Sequence, residues 1–224
     1  MRLWGITIFL FSSSVAFCQR PKSGVWLSLQ LPISISQKWQ WHNDAGYRTL
    51  GVSSEPLQYL YRTGVRYSFN KRWSAASGVA FFFSRTSFSK SNDEFGHEFR
   101  LWEEVNYQHP VSDKLQWQLR LRTEQRFFET TTIKPKYAAY RFRLRSGITK
   151  KINNKWSLQL ADEYMQQQTR QELSFDQNRL MVSGIYNLNP ATQLQGGYMW
   201  LLWPHEEQHI LTIGFIKKFS LHAG

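Results

Sequence analysis

Apolar and polar residues alternate one for one along most of this chain. In LQWQLRLRTEQRFF, residues 115–128, Leu115, Trp117, Leu119, Leu121, Thr123, Gln125 and Phe127 fall on one side of an extended backbone. Gln116, Gln118, Arg120, Arg122, Glu124, Arg126 and Phe128 fall on the other. A period of two is that of a β-strand, whose successive side chains point to opposite faces. The pattern recurs at 24–33, 38–48, 57–69, 73–84, 97–108, 137–149, 155–166, 175–188, 192–203 and 209–219, which makes eleven candidate strands. Short polar turns (SQK, NKR, VSDK, KINNK, NLNPAT) alternate with longer loops (TLGVSSEP, RTSFSKSNDEFG, ETTTIKPK, QTRQELS). Short connections at one end and long ones at the other describe an up-and-down antiparallel meander.

Alternation alone does not say which face meets water. A soluble barrel buries its apolar face, whereas an outer-membrane barrel turns that face to lipid and keeps charge inside. Strand length favours the second. A tilted strand needs about 9–11 residues to cross a bilayer, whereas ordinary strands average about 5–6. Aromatic placement agrees: Trp39, Trp73, Trp117 and Trp156 each lie within three residues of a short turn, as an interfacial girdle requires. The chain is polar on average, with mean hydropathy −0.49, yet carries 10 Trp, 10 Tyr and 16 Phe, which argues against disorder. The fold expected is all-β, an up-and-down antiparallel transmembrane β-barrel of 10–12 strands. That range reflects the even strand number of bacterial single-chain barrels. Against a count of eleven, it implies that residues 24–33 are not a regular barrel strand or that one strand is unrecognised.

The ends of the chain fit this reading. MRLWGITIFLFSSSVAFCQR has Arg2, an apolar stretch and then small residues, the order of a secretory signal peptide. Residues 1–18 are assigned to it and residues 19–224 to a single β-barrel domain, with cleavage after Ala16 as the alternative. Cleavage after Cys18 leaves no cysteine, hence no disulfide framework. The final segment, HILTIGFIKKF, ends on an aromatic residue, as does the signal read by barrel-insertion machinery, although Lys217 interrupts it.

Several stretches in order resemble the DUF2490 family, uncharacterised β-barrel proteins of the Bacteroidetes and other Gram-negative bacteria. They are SGVWLSLQ, QYLYRTGVRYSFNKRWSAASGVAFF, EFRLWEEVNYQ, LQWQLRLRTEQRF, YRFRLRSGI, FDQNRLMVSGIYNL and GGYMWLLW, spanning about Gly24 to Phe219. The resemblance implies an outer-membrane barrel and carries over no activity and no catalytic residues.

The formal charge of +12 changes the picture of the inner face. Glu98, Arg100, Glu104, Arg120, Arg122, Glu124, Arg126, Arg141, Arg143, Arg145, Glu163 and Arg179 form a candidate ladder of charge in the lumen. Arginine's planar fork suits bidentate pairing with carboxylates in a confined space. The ladder can fill the interior structurally, or its excess of arginine can favour anions. Asp176, Gln177 and Asn178, after a longer loop, form a candidate rim cluster. An outer-membrane hydrolase is one alternative, with His42 beside Asp44, His97 beside Glu98, and His205 with His209 as candidate groups. No motif joins a nucleophile to any of them, so no catalytic residue, metal or cofactor is assigned. A secreted soluble barrel binding an acidic or apolar ligand is another. The expected partners are outer-membrane lipid and, during biogenesis, the insertion machinery. Nucleic acid is disfavoured, because the basic residues follow strand periodicity rather than forming one exposed patch.

Overall fold

All eleven alternating segments form strands in the computed structural model, which describes residues 22–53, 55–87 and 94–221. The export segment lies outside these residues. The elements are β1 (Ser23–Gln30), β2 (Ile33–Ser34), β3 (Trp39–Thr49), β4 (Pro56–Ser68), β5 (Trp73–Arg85), β6 (Phe95–Ser112) and β7 (Leu115–Phe128). They continue with β8 (Tyr137–Lys151), β9 (Trp156–Gln168), β10 (Leu173–Asn189), β11 (Thr192–Leu202), β12 (Glu207–Lys217) and β13 (Phe219–Ser220). No helix occurs among the described residues.

From β3 to β12 each strand pairs antiparallel with the next, and β1 closes the sheet between β12 and β3. The result is a closed barrel of eleven long strands. The two-residue β2 and β13 extend β1 and β12 and pair with each other in parallel. Pro32 separates β1 from β2; lacking an N–H, it cannot continue the ladder as a donor, but its carbonyl accepts the Phe219 amide at 3.0 Å. Even parity proves unnecessary. An odd meander leaves its first and last strands running the same way, so the seam between β1 and β12 is parallel, from Ser23↔His209 to Gln30↔Ile216. Residues 24–33 therefore do supply a barrel strand, and no strand is missing.

Three of the short turns share one local solution. In S-Q-K-W, N-K-R-W and N-N-K-W, a side-chain oxygen accepts the amide of the tryptophan three residues on. Ser36 Oγ receives Trp39 N at 3.1 Å, Asn70 Oδ1 receives Trp73 N at 3.0 Å, and Asn153 Oδ1 receives Trp156 N at 2.8 Å. Such side chains mimic a backbone turn and fix where the next strand starts. Each tryptophan then packs on a tyrosine of a neighbouring strand. Trp39–Tyr67, Trp73–Tyr107 and Trp156–Tyr186 have ring centroids 4.7, 4.6 and 4.8 Å apart. The turn end of the barrel is thus ringed by aromatic pairs.

The two faces are inverted relative to a soluble protein. Leu121, Leu144, Val182, Leu211 and Ile213 point outward and are exposed, while Glu98, Arg100, Glu104, Arg122, Glu124 and Arg143 point inward and are buried. Inside, the Trp102 indole lies across Gly64 and Gly78. A Cβ at either would come within 2.6 and 2.7 Å of its ring, so this close approach requires glycine.

Candidate functional site

Strand register sets the charged side chains side by side on the inner wall. Asn106, Arg120, Arg145, Glu163 and Arg179 form one row across β6 to β10. Glu104, Arg122 and Arg143 form the next. Arg120 thus stands opposite Arg145, and Arg122 opposite Arg143. Like charges in directly opposed positions repel, and carboxylates from flanking strands offset this. Glu104 Oε2 accepts Arg122 Nε at 2.9 Å. Glu124 accepts Arg143 Nη1 at 2.6 Å and Arg100 Nη1 at 3.0 Å. Glu163 accepts Arg143 Nη2 at 2.9 Å and Arg120 Nη2 at 2.5 Å. Glu98 binds both Arg100 and Arg126, and Asp176 binds Arg141 at 2.8 Å.

All twelve residues of the expected ladder face the lumen, and the structure adds members that sequence reasoning left out. Asp44 pairs with Arg62 at 2.6 Å, and Arg66 reaches Glu104 at 3.2 Å. Arg48 also faces inward, its guanidinium 3.7 Å from the Trp26 ring centroid. The signal for these four was their shared parity on the polar faces of β3 and β4. It was weak because the charges there are spaced by glycine, leucine and glutamine rather than running in succession.

Among the described residues, two lumen arginines have no carboxylate within 4 Å. Arg48 contacts Trp26, and Arg145 donates to Gln159 Oε1 at 3.3 Å. The space beside them forms two adjacent cavities. The one toward the loops, about 310 Å³, is lined by nine arginines and only two carboxylates, Asp44 and Glu163. The one toward the turns, about 290 Å³, draws its polar lining largely from amides: Gln30, Asn106, Gln108, Gln118, Gln159 and Gln195. Gln30, Arg120 and Arg145 line both, so a guanidinium pair stands between them.

The rim cluster divides. A bulge between Phe175 and Gln177 turns Asp176 onto Arg141, and Gln177 Oε1 accepts Arg179 Nε at 2.8 Å. Both residues belong to the ladder, whereas Asn178 pairs in register with Tyr164 on the opposite face. The histidines do not converge on a nucleophile. His42 Nε2 lies 3.4 Å from Asp44 Oδ2, but that carboxylate is engaged by Arg62. Among the described residues, no hydroxyl binds His42. His97 pairs with exposed Glu129, and His209 lies on the outer face, 2.6 Å from the Tyr198 hydroxyl. Among the described residues, no group of three or more His, Cys, Asp or Glu side chains could hold a metal ion.

Residues 23–206 match the family described as "Protein of unknown function (DUF2490)". The chain belongs to the DUF2490 family. This DUF2490 chain is also similar in fold to a solved structure described as NanC porin in a rhombohedral crystal form. The TM-score is 0.56, with 10% sequence identity, covering 88% of this chain and 97% of that one. No curated protein matches the chain.

Proposed function

We propose that this protein is an outer-membrane barrel whose narrow lumen selects small anions. The outward apolar belt and the tryptophan–tyrosine ring at the turns support a lipid setting over the soluble alternative, since a water-exposed barrel would bury those side chains. A barrel of eleven strands falls between the eight-stranded ones, filled by their side chains, and the 16–18-stranded porins with wide channels. The observation that carries the reading is the loop-side cavity, with nine arginines against two carboxylates. Most of these guanidiniums are held by ion pairs and serve as structure. Arg48 and Arg145 make no ion pair within 4 Å among the described residues, and their guanidiniums supply the attraction for an anion at the mouth and between the two cavities. The porin-like fold supports the same reading. No assembled nucleophile and base supports a hydrolase.

Proteoliposomes test this. Anion-coupled swelling or halide efflux should exceed cation efflux severalfold in the presence of the barrel. Equal flux of both signs, or greater flux of cations, would overturn the proposal.

A further inference from the structure

The loop-side cavity is not uniformly cationic. One wall, from β3, β4 and β6 to β10, carries the guanidiniums, and the other, from β1, β10 and β11, carries Trp26, Met181, Met199 and the nearby Trp203. The walls meet at the Trp26 indole, with the Arg48 guanidinium 3.7 Å and that of Arg179 5.1 Å from its centroid. Among the described residues, no carboxylate lies within 4 Å of Arg48. All three methionines of the described residues point inward, and two of them line this wall. Methionine is a flexible, polarisable surface suited to rings of varied shape. Inorganic anions would need only the guanidiniums. An apolar wall of two methionines and two tryptophans facing a wall of convergent charge, in a cavity of about 310 Å³, instead suits a small molecule with one apolar and one charged end.

We infer that this cavity binds an organic anion: one carboxylate or phosphate group attached to an apolar or aromatic body about the size of one ring. The charged group sits at Arg48 and Arg179, and the ring lies along Trp26, Met181 and Met199. The inference deepens the proposed anion preference and rests on it.

Isothermal titration calorimetry on the detergent-solubilised full barrel separates the two ideas, because it does not require an open pore. Benzoate and acetate carry the same charge and differ in the ring, and micelles without protein correct for partitioning. Benzoate should bind at least tenfold more tightly than acetate. Met181→Gln with Met199→Gln should abolish that difference while acetate binding persists. Arg48→Gln should weaken benzoate severalfold, and since that residue pairs with no acid, no buried carboxylate is stranded. Equal binding of benzoate and acetate would overturn the inference while leaving anion preference standing. So would a benzoate advantage that survives both methionine substitutions. Absence of binding by either anion, together with flux that does not favour anions, would remove the underlying reading as well.

Discussion

The lumen holds two kinds of arginine, and they differ in what holds them. Arg143 is buried and bridges Glu124 and Glu163, so its charge is matched on both sides. Removing one partner from a buried ion pair leaves an uncompensated charge and costs about 3–5 kcal/mol. Arg143→Gln should therefore sharply lower the denaturant midpoint of the folded barrel. Among the described residues, Arg145 donates only to Gln159. Arg145→Gln should change stability by less than about 1 kcal/mol, as substitutions that strand no buried charge usually do. The sequence alone made both residues part of one ladder. It could not separate them, because pairing depends on carboxylates contributed by other strands through register. For the same reason Arg48, isolated among smaller residues, did not stand out.

At the level of strands, period-two alternation was legible almost residue by residue, with β7 at the bounds its pattern set. The seam was not, since the parallel pairing of β1 and β12 depends on strand count and closure rather than on either strand's own sequence. Close packing also escapes periodicity, as the two neighbours of Trp102 show. A Cβ at Gly78 would meet the Thr63 carbonyl oxygen at 2.1 Å, while one at Gly196 meets nothing within 4 Å. Gly78→Ala should cost about 1–3 kcal/mol through overpacking, and Gly196→Ala should be neutral or stabilise by about 0.4–1 kcal/mol; urea titrations of the two variants check the contrast. The loop between β7 and β8 is pinned to the residue before β6. Glu94 receives the Thr132 amide at 3.0 Å and also its hydroxyl, and these hydrogen bonds hold its carboxyl below the usual glutamate range. A depressed carboxyl stabilises the pinned form above the ordinary glutamate pKa and loses that effect as pH falls through its lowered value. Hydrogen exchange at the Thr132 amide should thus accelerate, beyond its intrinsic pH dependence, only in acid below the ordinary glutamate range. Pinning that weakens near neutral pH would contradict this.

The barrel as a whole has charge within and an apolar surface without, and both halves of that arrangement can be tested. Leu121 is 55% exposed on the outer face, midway between the aromatic residues at the two ends of β7. In lipid, Leu121→Arg should cost about 2–4 kcal/mol and reduce insertion into vesicles, because a cation at the bilayer midplane loses its hydration. The same barrel surrounded by water, with Leu121 already on its surface, would accept the change at little cost. The most direct test of the central claim is the reversal potential of the purified barrel in planar bilayers across a potassium chloride gradient. The account predicts a potential displaced toward that of chloride, with the displacement reduced by Arg145→Gln and by Arg48→Gln while the barrel remains inserted. A potential at or beyond zero toward that of potassium, or one unmoved by both substitutions, would contradict it.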